Sequence, residues 1–181
     1  LQAAVPVGLV ADPAVTFYSN GNGVFEPGEV VTLQTSWKNV THTGFGATGQ
    51  GLTLSGPAPG AYFLTDDAAD YGNLPPGGAA GCAASNDCYA AAITQPTTRP
   101  STHWDATLEE SLSTTDRKVW SVHLGNSFAD VLRTHPFYVK IETLLHNGVT
   151  GGCSSTGYCP SQPVTRDAMA IFIAKVVAQG V

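Results

Sequence analysis

Charge is the scarcest commodity in this sequence. Asp, Glu, Lys and Arg make up 12% of its 181 residues, and 8 Lys and Arg face 14 Asp and Glu, a net charge of −6. No basic patch occurs, which argues against a nucleic-acid partner. No apolar run approaches the length of a bilayer crossing, so no membrane span is expected. Catalytic signatures are also missing: there is no Gly-x-Ser-x-Gly elbow, zinc-protease helix, phosphate-cradling loop or dinucleotide fingerprint. Among the five histidines (His42, His103, His123, His135 and His146), the tempting His/Asp pair is His103 with Asp105. On a strand these two share one face, and the reading is a polar surface over a buried Trp104. Glu109 and Glu110 adjoin and would point to opposite faces, which does not suit a carboxylate pair for glycoside cleavage. The chain therefore reads as a non-enzyme. It starts at Leu1, with no initiator methionine and no basic segment followed by a small-residue cleavage site, so a processed product or fragment is expected.

What is present begins with four cysteines in two local pairs, Cys82/Cys88 and Cys153/Cys159, each with five residues between its members. Neither pair has the two-residue spacing of zinc knuckles. Two local disulfides are expected, formed in an oxidising compartment, which places the protein outside the cell. Each would stabilise by roughly 2–3 kcal/mol in the chain-entropy model. Asn39-Val40-Thr41 matches a glycosylation sequon.

Residues 1–15 are uncharged until Asp12. Two readings stay open: a first strand or connector packed on its own domain, or an extended arm that adds to a neighbouring subunit's sheet edge. In the second, Leu1, Val5, Val7, Leu9 and Val10 make the contact. Residues 20–29, NGNGVFEPGE, combine turn-permitting glycines with hard oxygen donors at Asn20, Asn22, Glu26 and Glu29. That donor type suits calcium, with Asp66, Asp67 and Asp70 as further candidates. The spacing follows a calcium loop only in part, since Tyr18 falls on the first ligand position; the alternative is a polar turn between strands. Val30–Asn39 alternates, with Val31, Leu33 and Trp37 on one face. Further strands are expected at 51–54, 61–64, 89–94, 103–112 and 118–124, punctuated by Pro- and Gly-rich turns. Several short strands of this kind indicate an antiparallel β-sandwich over residues 16–125.

From Phe128 onward the period changes. Phe137, Ile141, Leu144 and Leu145 repeat at helical spacing, and Asn147-Gly148 supplies a helix stop. Thr165 stands where an N-cap belongs, ahead of an apolar stripe of Met169, Phe172, Ile173 and Val176. Gly125-Asn126-Ser127 marks the junction, and its shortness restricts the relative freedom of the two modules.

Phe128, Asp130, Val131, His135, Tyr138, Ile141, Gly148, Val149, Gly152, Pro160 and Val164-Thr165-Arg166 together resemble the S-layer homology motif over about fifty residues. The preceding region looks like the immunoglobulin-like modules that bacteria append to secreted proteins. The expected fold is thus mainly β with a small α module: an immunoglobulin-like sandwich followed by a helix-loop-helix over residues 126–181. The resemblance implies a place at the bacterial surface and a groove for wall polysaccharide, with Asp130, Tyr138 and Arg166 as candidate sugar contacts. Two positions depart from the pattern. Pro136 stands where an aromatic is usual, and Ala168 where an acid would close a capping box. A single copy of the motif offers two helices and little core. The first expectation is therefore a structural protein that polymerises head to tail with copies of itself, with calcium as a possible support. The alternative is an anchor module binding cell-wall polysaccharide at the end of a longer secreted protein.

Overall fold

A computed structural model describes residues 9–11, 16–18 and 22–179. Its strands, in chain order, are β1 (Leu9–Ala11), β2 (Thr16–Tyr18), β3 (Val30–Gln34), β4 (Ser36–Asn39), β5 (Phe45–Ser55), β6 (Tyr62–Asp66), β7 (Ala68–Leu74), β8 (Ala79–Gly81), β9 (Tyr89–Ile93), β10 (Trp104–Leu112) and β11 (Arg117–Leu124). Two helices follow, α1 (Tyr138–His146) and α2 (Arg166–Gln179). The strands form three antiparallel sheets, in the orders β1-β4-β8, β11-β10-β5-β7 and β2-β3-β9-β6. The chain is mainly β with a small helical module, as its composition of short alternating runs predicts.

The alternation over 30–39 holds without a phase slip. Val31, Leu33, Thr35, Trp37 and Asn39 are all buried, while the residues between them face outward. β3 and β4 share that line but pair with different sheets, and Thr35 is the switch. Of the two readings of the N-terminal stretch, the chain's own first strand holds where the structure describes it. Leu9 pairs with Asn39 and lies in the core, and Val10 pairs with Lys38. Leu9 and Val10 are therefore not part of a free arm; Leu1, Val5 and Val7 lie outside the described residues.

Side chains from all three sheets meet in one core, and a buried carboxylate lies among them. Glu110 on β10 receives the hydroxyls of Tyr71 and Tyr89 on one oxygen, Tyr89 at 2.6 Å. Its other oxygen receives the indole N–H of Trp37 at 3.1 Å and of Trp120 at 2.5 Å. Four strands thus end on one side chain of a fifth. Burial, with Glu110 beside them, pushes both phenols far above their ordinary range and holds them as donors. Gly49 makes the space: a Cβ there would lie 2.1 Å from the Tyr89 hydroxyl and 2.6 Å from Glu110 Oε1. The Gly-rich first half of β5 lacks apolar alternation because it backs onto this polar centre.

Both disulfides form as expected, Cys82–Cys88 and Cys153–Cys159, with Cα separations of 5.1 and 5.9 Å. In the first helix the buried stripe is Tyr138, Ile141, Glu142 and Leu145. Phe137, expected inside, is 64% exposed and precedes the helix. The rotation follows from Tyr138, whose hydroxyl reaches Glu26 of the β module at 2.6 Å. Gly148 takes a φ of +65° and ends the helix. Thr165 Oγ1 accepts the Ala168 amide at 3.2 Å, the expected N-cap of α2.

Glu110→Ala leaves the Tyr89 hydroxyl and the Trp37 and Trp120 indole N–H groups without their acceptor and leaves Tyr71 with Thr35 alone. It is expected to lower stability by about 3–5 kcal/mol, the range for breaking a buried charged cluster. Glu109→Ala, on the outer face of the same strand, is expected to change stability by no more than about 0.5 kcal/mol. Urea denaturation followed by tryptophan fluorescence checks both.

Candidate functional site

The β module and α1 meet along a polar seam. The chain leaves β11 at Leu124, and Arg99 collects the carbonyls exposed there. Its guanidinium donates to Leu124, Gly125 (2.7 Å), Asn126 (3.3 Å) and Thr102 oxygens, and to Ser127 Oγ at 3.1 Å. Gly125 admits close packing, for a Cβ there would lie 2.1 Å from Val24 and 2.9 Å from the Tyr138 hydroxyl. Val24 joins Phe128, Val131, Tyr138, Ile141 and Leu145 in a second small core. α1 therefore buries its apolar face within its own chain. Ser127 then donates its amide (2.9 Å) and hydroxyl (2.6 Å) to the two oxygens of Glu142 on α1.

Four titratable side chains converge at the end of this seam. The β10–β11 register places Asp105 opposite His123, and His103 precedes Asp105 by two residues on the same face. α1 ends on His146, which folds over them. Asp105 Oδ1 lies 2.7 Å from His123 Nδ1, 3.2 Å from His103 Nε2 and 3.3 Å from His146 Nδ1. His146 Nε2 lies 3.5 Å from Glu142 Oε2. The His146 side chain is only 5% exposed, and the His123 and His146 rings stack at 4.4 Å. Both His146 nitrogens are near carboxylates, yet neither contact has hydrogen-bond alignment, so both remain unsatisfied among the described residues. A cavity of about 140 Å³ lined by Val24, Phe25, His123, Glu142 and His146 opens beside them. Burial raises the pKa of the Asp105 and Glu142 carboxyls. For Asp105 the imidazoles outweigh it, and for Glu142 His146 and Ser127 do, so both fall below the usual carboxylate range. Burial lowers His146, but its two carboxylates reverse the effect and leave it above its ordinary value.

This cluster was not legible as a unit. His103 and Asp105 do share a face over the buried Trp104, as expected. The opposition of Asp105 and His123 follows once the two strands are placed as a hairpin. Nothing in the sequence brings His146 to them.

The residues expected to bind calcium take the following places. Asn20 lies outside the described residues. Asn22 caps the Val24 amide at 2.9 Å and donates to Glu26 at 3.0 Å. Glu26 is buried, accepting the Tyr138 hydroxyl and pairing with Arg133 at 2.8 Å. Glu29 accepts the Glu26 amide at 2.7 Å, and Asp66 accepts the Ala68 amide at 3.2 Å. Asp67 is in the β6–β7 turn, and Asp70, expected in a loop, lies within β7. These donors serve turns and the module seam. Among the described residues, the metal-ligating side chains that gather within 4.8 Å are His103, Asp105, His123 and His146.

The candidate sugar contacts take separate roles. Asp130 accepts the amides of Tyr158 (2.8 Å) and Cys159 (2.7 Å), pinning the disulfide loop. Tyr138 is buried, donating to Glu26 and accepting the Asn126 amide at 2.8 Å. Arg166 opens α2 and is exposed. An open groove of about 690 Å³ runs along the module junction, lined by Arg99, Phe128, Leu132, Arg133 and Thr156 among others and not by these three.

Two apolar surfaces remain uncovered. Among the described side chains of α2, Ala168, Phe172 and Val176 are partly buried; Met169, Ile173 and Val177 form an outward stripe, exposed by 43, 57 and 75%. A polar tether holds the helix at Lys175, which donates to the carbonyls of Gly148 and Val149 beyond the end of α1. On the outer face of the sheet β2-β3-β9-β6, Val30 and Phe63 flank Ala92, their common cross-strand partner, and both are more than half exposed.

No family model, curated protein or solved structure matches this chain.

The Asp130 contacts make a pH prediction. Two backbone amides hold its carboxyl below the ordinary 3.8. A depressed folded pKa gives stability that is present above the ordinary value and is lost as pH falls through the lower one. In an acid titration followed by amide NMR, the Tyr158 and Cys159 resonances are expected to move together, with a midpoint below 3.8. Asp130→Asn is expected to abolish that common transition.

Proposed function

We propose that this is a non-enzymatic extracellular structural protein that polymerises head to tail through its two uncovered apolar surfaces. The observation that carries the reading is α2, whose outward stripe has no cover within the described chain. Leaving a large aliphatic side chain in water forfeits roughly 1.5–3 kcal/mol relative to full burial. A second copy offers the Val30–Ala92–Phe63 row as cover. The two surfaces differ, so the contact is heterologous, and one that does not close into a ring grows an open filament, tube or layer. The finer architecture proposed for the β module is an immunoglobulin-like sandwich, and for the helical module an S-layer-homology-like unit. Two disulfides are compatible with secretion.

A second reading is an anchor for wall polysaccharide. The groove beside the junction favours it, with Arg133 half-exposed at its lining. Pull-down on purified cell wall separates the readings. The anchor requires retention of the monomeric chain, weakened by Arg133→Ala or Arg166→Ala with the fold intact.

For polymerisation, sedimentation velocity is expected to show mass growing with concentration, and electron microscopy to show the polymer. Ile173→Asp and Phe63→Asp are each expected to stop growth. Mixing the two variants is expected to restore a one-to-one complex, because each keeps one intact surface. A chain that stays monomeric at high concentration overturns the proposal.

A further inference from the structure

We infer that His103, Asp105, His123 and His146 form a structural site for a divalent transition-metal ion of the zinc type. Four ligands around zinc at about 2.0–2.2 Å stand about 3.4 Å apart at tetrahedral angles. Asp105 Oδ1 lies 2.7, 3.2 and 3.3 Å from the three imidazole nitrogens. All four donor atoms fall within 4.8 Å of one another. A metal at their centre thus needs only small side-chain adjustments.

Chemistry and electrostatics point the same way. Three imidazoles and one carboxylate form a borderline nitrogen-rich set, which suits zinc, cobalt, nickel or copper and not calcium or magnesium. His146 Nδ1 is buried, faces Asp105 and lacks an aligned hydrogen-bond partner, and in the neutral imidazole it can turn a lone pair toward a metal there. Its other nitrogen faces Glu142, which Ser127 holds by two hydrogen bonds. A carboxylate behind a ligating imidazole is the usual means of fixing its tautomer and ring orientation. A dication also balances Asp105 and Glu142, the two carboxylates in contact with these imidazoles. The four protein ligands complete a tetrahedral shell and leave no position for substrate, so the site is structural. It would join the β10–β11 hairpin to the end of α1, stapling the two modules.

The test uses the full chain stripped with chelator, then titrated with Zn²⁺, Co²⁺ or Ca²⁺. Zn²⁺ is expected to bind one to one by calorimetry and to raise the melting temperature. Co²⁺ is expected to give the visible absorption of a four-coordinate ion, and Ca²⁺ neither effect. His103 is exposed, so His103→Ala keeps the fold and is expected to weaken Zn²⁺ binding by at least about 100-fold. Glu142→Gln is expected to weaken it by roughly 10- to 100-fold, as outer-shell partners do. His42→Ala, away from the cluster, is expected to leave it unchanged. No Zn²⁺ saturation, no thermal shift, or binding that survives His103→Ala would each overturn the assignment.

Discussion

Close approach at the module junction is the constraint on which the rest of the structure depends. Gly125 lets the turn after β11 settle against Val24 and the Tyr138 ring. Arg99 then satisfies the carbonyls that this turn leaves without strand partners. Exposed main-chain oxygens at a buried joint would otherwise lose solvation without compensation. With the joint sealed, α1 lies flush on the β module, and its last residue reaches across to Asp105. A side chain at position 125 would move the helix outward and take His146 out of reach of the hairpin. The cluster is therefore a product of backbone packing first and of side-chain chemistry second.

The two helices divide the labour unequally. α1 carries polar groups on its buried face, Tyr138 and Glu142, and each finds partners on the β side. α2 carries almost none, and it is joined to the rest by two hydrogen bonds from Lys175 and a narrow apolar contact. A cation near the C-terminal carbonyls of α1 is favourably placed in that helix's dipole field. The tether fixes where α2 begins its outward course without covering it. This is what separates a helix covered by its own chain from one with an uncovered apolar face.

Strands with alternating apolar residues were readable, because a half-buried strand writes its period directly into the chain. Val30–Asn39 and Lys118–Leu124 are such cases. β7 was not, because its buried line slips phase between Tyr71 and Leu74, and its pairing with β5 is non-local. The start of β5, ahead of the expected Gly51–Leu54, was missed because Gly46 and Gly49 lack the apolar side chains that mark a strand. The helical module was legible in its caps and its stop, yet the phase of α1 was off by one residue at its start, since Tyr138 is drawn inward by an acid 112 positions away. For the histidine cluster, half the geometry follows from one hairpin. The other half requires knowing where a helix ends in space.

The disulfide between Cys153 and Cys159 encloses five residues, of which Ser154, Ser155 and Thr156 are exposed. A protease that cut this small ring would open the backbone without releasing either fragment, because the sulfur bridge spans the break. Asp130 would still hold the amides at the far side. This exposed loop of the helical module would thereby keep both ends in place after a single cut.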